Sequence, residues 1–220
     1  MVRRLLAEFI GTFALVFAGT GAIVANDFSN GAVSHVGIAI TFGLVVMIFI
    51  YALAEISGAH FNPAVSFSFL QLKKLKFNDF ILYVLSQLVG GILASFCIAT
   101  LFPPHPTLGM TLPHIPTWNA FGVEVLLTFF LVFVILQVTN LGAKLPSTAG
   151  LAIGSTVALD ALFGGQLTGA SMNPARSFAP ALVAGNFSSL WIYIFAPLIG
   201  AIIATWISSF LLCPNEPQNK

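Results

Sequence analysis

The sequence has few charged residues: Asp, Glu, Lys and Arg make up 7% of its 220 residues, against about 25% in soluble domains. This excludes an ordinary soluble domain, and a net charge of +1 gives no basic surface for nucleic acid. Cysteine is also scarce, since Cys97 and Cys213 fall within or at the end of apolar runs and imply no disulfide framework. Signatures of nucleophilic catalysis, phosphate loops and metal-ligand sets are missing. We therefore expect neither an enzyme nor a bound cofactor or metal.

What the sequence has instead is apolar, at 58% of its residues. Runs long enough to cross roughly 30 Å of hydrocarbon occur six times. They cover about 5–25, 36–54, 80–101, 120–139, 147–163 and 190–212. Arg3 and Arg4 before the first run also resemble a secretory signal, but Glu8 interrupts that run, so we predict a retained first span. The sequence predicts an all-α protein embedded in a lipid bilayer.

The basic residues indicate an orientation. If the amino terminus is cytoplasmic, seven of the eight Lys and Arg residues fall on the cytoplasmic side. Short cytoplasmic loops of membrane proteins are enriched in Lys and Arg. These are Arg3, Arg4, Lys73, Lys74, Lys76, Lys144 and Lys220. We therefore expect both termini to be cytoplasmic, in a plasma or cell inner membrane. The eighth, Arg176, falls within the membrane and needs a specific role.

A short polar motif interrupts the apolar pattern twice, as SGAHFNPAVSF from Ser57 and as TGASMNPARSF from Thr168. Counted from the residue before each motif, the copies agree at seven of twelve positions, which marks an internal repeat. Each copy follows the second span of a three-span half. An odd number of spans separates equivalent points, so the two copies must enter the membrane from opposite faces.

The chain is thus predicted to be one domain over 1–220, built from two inverted repeats. The repeats cover about 1–102 and 118–213, and inverted repeats of this kind place a substrate path at their interface. The proline-rich outer loop that joins them, at 103–117, is expected to carry little chemistry.

Each motif has the composition of a helix start. Asn is a good N-cap, Pro is preferred at the first helical position, and Ala favours the helix. We predict half-helices from Asn62 to about Gln71 and from Asn173 to about Val183, each roughly half the hydrocarbon thickness in length. Their amino ends, each with about half a positive charge, would meet near the midplane and repel cations.

The same segments offer hydrogen bonds to a neutral solute. The side-chain amides of Asn62 and Asn173 would donate to its oxygen. Irregular backbone at this depth survives where it lines a wet cavity or is buried in protein, so loop carbonyls would accept from the solute along the lumen. The carbonyls predicted to line the pore are those of Gly58, Ala59, His60, Gly169 and Ser171.

Two carboxylates occupy equivalent places near the start of each half, Glu8 in EFIGTFALVF and Glu124 in EVLLTFFLVF. A carboxylate inside the membrane is a candidate functional group. It can equally accept hydrogen bonds from irregular backbone that lipid cannot satisfy. We favour this supporting role, because each carboxylate lies toward the face from which the motif of its own half enters.

With both motifs in view, the sequence resembles the aquaporin, or major intrinsic protein, family over nearly all of residues 1–212. The paired stretches SGAHFNPAV and TGASMNPARS are highly specific to that family. The resemblance implies six transmembrane helices with two re-entrant half-helices, and a homotetramer with a pore in each subunit. It also implies pore motifs at Asn62, Pro63, Ala64, Asn173, Pro174 and Ala175.

The resemblance further implies an outer selectivity filter formed by Phe42, Ala161, Ala170 and Arg176. Arg176 would donate hydrogen bonds to the solute and repel cations and hydrated protons; the alternative is an arginine that only reaches the membrane interface. Narrow water channels of the family have histidine where Ala161 stands, so the filter is expected to be wider and less polar. That resembles nodulin-26-like and glycerol-conducting members, whereas Ser177 is typical of water channels.

Three polar residues keep alternative roles. Asp160 could help hold Arg176 or hydrate the filter, but residues adjacent on a helix point about 100° apart, so we favour structural hydrogen bonding. Glu55 at the inner mouth is either solvated or involved in gating. His60 has no partners at metal-ligand spacing, so we expect a hydrogen-bonded side chain beside the inner vestibule.

The predicted function is a passive channel for water and small uncharged solutes such as glycerol, with protons and ions excluded. Urea and uncharged metalloid acids also fit the filter. The alternative is an ion- or proton-coupled secondary transporter, which can also use inverted repeats and broken helices around a midplane site.

Overall fold

The computed structural model describes residues 1–139 and 148–212. Within these two ranges the chain forms eight helices and no strand. They are α1 (Val2–Phe28), α2 (Ser34–Ser57), α3 (Pro63–Gln71), α4 (Phe77–Leu101), α5 (Thr117–Val138), α6 (Ala149–Thr168), α7 (Pro174–Ala184) and α8 (Leu190–Leu212). All except α3 and α7 are long and apolar enough to cross a membrane. The predicted all-α fold with six spans is confirmed, while Lys144, Cys213 and Lys220 lie outside the described residues.

The two short helices, α3 and α7, have 9 and 11 residues. At 1.5 Å per residue they extend about 14 and 16 Å, half of a hydrocarbon layer. They begin at Pro63 and Pro174, where the sequence predicted helix starts. Each follows a long helix that ends at a glycine in the left-handed region, Gly58 with φ 91° and Gly169 with φ 86°. A side chain with a Cβ atom is disfavoured in that conformation, so these glycines suit the ends of α2 and α6.

The largest difference from the predicted spans concerns α6, which continues to Thr168 instead of ending near Phe163. Hydropathy falls at Gly164 because the last turns contain glycines and Gln166. The backbone hydrogen bonds nevertheless continue until Gly169, whose amide closes the helix on the carbonyl of Gly165. The cap ends α6, and hydropathy alone could not locate it.

The helices pack in a pattern that is the same in both halves. α1 packs on α2 and α4, α5 packs on α6 and α8, and α2 packs on α6 between the halves. Gly43 and Gly154 meet at that central contact, where a methyl group on either would lie 2.6 Å from the other's carbonyl oxygen. Gly90 and Gly200 likewise let α4 approach the α1 backbone and α8 approach the α5 backbone. Close helix contacts through small residues are typical of membrane bundles.

Candidate functional site

The amino ends of α3 and α7 are capped by the asparagines of the repeated motif. Asn62 Oδ1 accepts a hydrogen bond from the amide of Ala64 at 2.8 Å. Asn173 Oδ1 accepts from the amides of Ala175 at 3.0 Å and Arg176 at 3.3 Å. Both asparagines have extended backbone, as N-cap residues do. The sequence therefore fixes the position of both helix starts locally.

The same two side chains tie the opposing segments together. Asn62 Nδ2 donates to the carbonyl oxygen of Met172 at 2.7 Å, and Asn173 Nδ2 donates to that of Phe61 at 2.9 Å. Each bond therefore joins one half of the chain to the residue just before the asparagine of the other half. An asparagine amide has two N–H donors, so one of the two is used in this reciprocal pair of bonds. Sequence reasoning did not predict this use.

The loops before α3 and α7 have unusual backbone conformations. Ala59 and Phe61 have φ of 51° and 50°, and the equivalent Ala170 and Met172 have φ of 42° and 53°. Residues other than glycine are uncommon at positive φ, and they persist where the surrounding structure holds them. Alternate residues in this conformation turn successive amides toward the protein interior, where they need acceptors.

Glu8 provides those acceptors in the first half. Its side chain is fully buried. Oε1 accepts from the amide of His60 at 3.0 Å and the hydroxyl of Ser57 at 2.7 Å. Oε2 accepts from the amide of Phe61 and from Gln87 Nε2, both at 2.7 Å. One carboxylate thus binds two consecutive loop amides and two side chains.

Glu124 repeats the arrangement in the second half, again with a fully buried side chain. Oε1 accepts from the Thr168 hydroxyl at 2.6 Å and the Ser171 amide at 2.9 Å. Oε2 accepts from the amide of Met172 at 3.0 Å. Both carboxylates therefore bind the irregular backbone that precedes the half-helices.

A cavity passes beside the junction of the two half-helices. Apolar side chains from α1, α2, α5 and α6 form most of its wall, and the two loops supply the polar part. The predicted site residues that line it are Phe42, Gly58, Ala59, His60, Ala161, Ala170, Ser171, Asn173 and Arg176. The cavity thus brings residues from both motifs to one surface.

Other predicted site residues lie outside this lining. Pro63, Ala64, Pro174 and Ala175 are buried in the first turns of α3 and α7. Gly169 instead lines a second cavity, on the side of the chain where α4 ends and α5 begins. Asn62 and Asn173 are equally buried, each 4% exposed, and Asn62 is absent from the lining of the first cavity. In each asparagine one N–H donor binds an opposing carbonyl, and donation to a solute stays a prediction.

The two cavities meet at the residues predicted to form the filter. Phe42, Ala161 and Arg176 line both cavities, and Ala170 lines the first. The guanidinium carbon of Arg176 lies 5.1 Å from the centre of the Phe42 ring, within cation–π range. The side chains of Ala161 and Ala170 are single methyl groups. The junction therefore has one aromatic side, one cationic side and two small apolar sides.

Arg176 is 1% exposed and is held by a backbone carbonyl. Its Nη1 donates to the carbonyl oxygen of Gly109 at 2.9 Å. Its Nε and Nη2 have no hydrogen-bond partner within residues 1–139 and 148–212. Both nitrogen atoms are buried, while Arg176 as a residue lines both cavities.

Comparison with known proteins agrees with this geometry. The family model described as Major intrinsic protein matches residues 1–208. The chain belongs to the major intrinsic protein family. It is 41% identical to Nodulin-26 of Glycine max, over 100% of this chain and 81% of that protein. It is 40% identical to Aquaporin NIP1-1 of Zea mays, over 100% of this chain and 78% of that protein.

A solved structure extends the agreement to the fold. The aquaglyceroporin from Plasmodium falciparum superposes with a TM-score of 0.81 at 28% identity, over 97% of each chain. The similarity covers both half-helices and all six long helices of this major intrinsic protein.

The loop between α4 and α5 makes more contacts with the site than the sequence indicated. Gly109 supplies the carbonyl that binds Arg176. The hydroxyl of Thr111 donates to Ser177 Oγ at 2.8 Å, and the amide of His114 donates to the Leu167 carbonyl at 2.9 Å. The expectation that 103–117 is only a connection was wrong. A proline-rich composition predicts that a segment lacks regular structure, but it does not predict which groups its carbonyls bind.

Two tyrosines were also missed as parts of the site. Tyr83 donates its hydroxyl to the carbonyl of Ser57, and Tyr193 donates to that of Thr168, each at 2.7 Å. Both therefore bind the last residue of the long helix that precedes a half-helix. The repeat contained the signal, because the two tyrosines occupy corresponding places in α4 and α8.

The three polar residues with open roles have different environments. His60 Nδ1 lies 3.0 Å from Ser66 Oγ and its ring stacks on Phe69, so it has structural contacts and also lines the cavity. Glu55 is exposed at the end of α2. Asp160 is 1% exposed, and its Oδ2 has no hydrogen-bond partner among the described residues. Asp160 is not among the residues that line either cavity.

Proposed function

We propose that this major intrinsic protein is a passive channel for water and small uncharged solutes such as glycerol. The observation that carries the proposal is the cavity beside the joined amino ends of α3 and α7. Its wall includes Ala59 from the first motif and Ser171 and Asn173 from the second. Dipolar molecules can exchange hydrogen bonds with such a wall without losing much of their solvation.

Charge exclusion follows from the same geometry. The amino ends of α3 and α7 each carry about half a positive charge, and they meet at the cavity. Arg176 adds a full positive charge at the junction of the two cavities. Glu8 and Glu124, the carboxylates that could offset this charge, are not among the cavity lining and are bound to loop amides. The described residues that line the first cavity include no carboxylate, so a cation there would lose hydration without gaining an anionic partner.

The filter composition supports passage of solutes larger than water. Ala161 and Ala170 take up little cross-section, and the ring of Phe42 offers an apolar surface to the carbon backbone of a polyol. The guanidinium of Arg176, which lines both cavities, would donate hydrogen bonds to the hydroxyl groups. We assign Phe42, Ala161, Ala170 and Arg176 to the filter on this basis, and Asn62 and Asn173 to the support of the half-helix junction.

The engaged carboxylates argue against a coupled transporter. Coupling to protons or sodium ions usually needs a titratable or anionic group on the solute path. Glu8 accepts four hydrogen bonds and Glu124 accepts three, from loop amides and buried side chains. Moving a proton through either group would disrupt the loop it holds.

We further propose the topology and assembly that the sequence indicated. The starts of α1 and α4 lie together, because Arg4 Nη1 is 3.6 Å from Asp79 Oδ2. The basic residues at the start of α1 and just before α4 therefore share one end of the protein. A cytoplasmic location of that end, and of both termini, agrees with the preference of basic loops for that side. Two inverted halves, about 1–102 and 118–213, and a homotetramer complete the proposal.

Purified protein in liposomes tests the function. Osmotic shrinkage should be faster than in protein-free liposomes, with a low temperature dependence, and glycerol should equilibrate without accumulating when a proton or sodium gradient is imposed. Ala161→Trp is the matched control. Ala161 lines both cavities, and the larger side chain would fill the point where they meet, so this variant should conduct neither solute. Accumulation of glycerol driven by either gradient would contradict the passive mechanism.

A further inference from the structure

A glycine in α1 directly contacts the aromatic residue of the filter. Gly19 is buried, and a methyl group placed on it would overlap the Phe42 ring, with Cδ1 2.5 Å away. The three closest atoms to that position all belong to this ring. The Phe42 side chain therefore rests on the bare backbone of α1, in a depression that exists because residue 19 has no side chain.

The opposite side of the ring faces the solute path. Phe42 lines both cavities, and the Arg176 guanidinium carbon lies 5.1 Å from the ring centre. The ring thus lies between the α1 backbone and the junction of the two cavities. Because α1 blocks movement in one direction, any group added at Gly19 displaces the ring toward Arg176 and the lumen.

Comparison of the two halves ties this glycine to the aromatic ring. Counted from Glu8 and Glu124, Gly19 corresponds to Ile135; counted from the motif asparagines, Phe42 corresponds to Ile153. Both isoleucines line the cavity. The second half therefore has two side chains of equal size where the first half has a ring and no side chain at all.

The same exchange occurs once more along α1. A methyl group on Gly11 would overlap the ring of Phe61. In the second half the corresponding residues are Leu127 and Met172. In both pairs, the first half has glycine on α1 and an aromatic ring on the facing segment, whereas the second half has an aliphatic side chain on α5 and another on the facing segment. Gly11 and Gly19 thus each make room on α1 for one aromatic ring of a facing segment.

We propose that Gly19 is a specificity-determining position of the channel, because it keeps the Phe42 ring withdrawn from the junction and so sets the width of the filter. Gly19 does not touch the solute, and it acts by positioning Phe42. The inference deepens the proposed function and rests on it, since the width of the junction matters only if solutes pass there.

Gly19→Ala tests the inference in proteoliposomes with water and glycerol permeabilities measured on the same preparation. One added methylene-sized group in a selective site changes discrimination roughly tenfold, so the glycerol-to-water permeability ratio should fall by about that factor. Gly21→Ala is the matched control in the same helix, because its methyl group would meet Phe102 at an ordinary 3.4 Å. Its ratio should equal that of the unmodified protein.

A double variant separates filter width from protein damage. Gly19→Ala combined with Phe42→Leu should restore the ratio to at least the unmodified value, because the smaller side chain no longer needs the depression. If Gly19→Ala alone fails to insert, the double variant should restore folded, conducting protein. The inference would be overturned if Gly19→Ala left the glycerol-to-water permeability ratio unchanged or reduced both permeabilities in proportion. It would also be overturned if the double variant restored neither the ratio nor folded, conducting protein.

The unmodified protein distinguishes a failure of the inference from a failure of the proposed function. If it accelerates neither water nor glycerol, the channel function itself is wrong. If it conducts water alone, the solute range is wrong. The role of Gly19 is then tested on water, whose permeability should fall in Gly19→Ala and remain in Gly21→Ala.

Discussion

Replacing Glu124 by Gln tests whether a carboxylate is required to hold the loop before α7. Oε1 accepts from Thr168 and Ser171, and Oε2 accepts from Met172. A glutamine retains one acceptor oxygen, so its NH2 group must face at least one of these donors. One charge-assisted hydrogen bond is lost and a buried amide is left unsatisfied, at a cost of about 1.5–3 kcal/mol. Met172 then lacks the contact that holds its positive φ.

The assay compares apparent unfolding temperature in detergent with water permeability in liposomes. Glu124→Gln should lower both, and Glu55→Gln should lower neither, because Glu55 is exposed at the end of α2. Unchanged values for Glu124→Gln would refute the supporting role. An unchanged unfolding temperature combined with the loss of a gradient-driven flux would instead identify Glu124 as a proton carrier.

Two further substitutions test the filter. Ala161→His should reduce glycerol permeability more than water permeability, because the imidazole removes cross-section and adds a donor; stopped-flow light scattering measures both, and an equal loss would place the constriction elsewhere. Arg176→Val should raise proton or cation leakage, because it removes the positive charge that is bound to Gly109; a pH-sensitive dye inside the vesicles measures the leak, and leakage at background would contradict the electrostatic role.

The elements that the sequence predicted well are those whose cause is local. Asn is a favoured N-cap and Pro is favoured at the first helical position, so the starts of α3 and α7 could be predicted. A run of about twenty apolar residues must cross the bilayer, so the six long helices were found as well. The end of α6 was missed because its cap, Gly169, lies beyond the apolar run.

The parts that could not be predicted depend on contacts between distant segments. Every residue has a carbonyl, so nothing in the sequence singles out that of Gly109 as the partner of Arg176. The positive φ values of Phe61 and Met172 contradict local preference and exist because the carboxylates bind their amides. The reciprocal bonds of Asn62 and Asn173 likewise require both halves to be in place.

The most direct test of the central claim measures water and glycerol permeability on one vesicle preparation, with and without an imposed proton gradient. A passive path beside the junction of α3 and α7 predicts that both permeabilities exceed those of protein-free vesicles, that the gradient changes neither, and that Ala161→Trp abolishes both. Glycerol accumulation that follows the gradient, or permeabilities that Ala161→Trp leaves intact, would contradict the account.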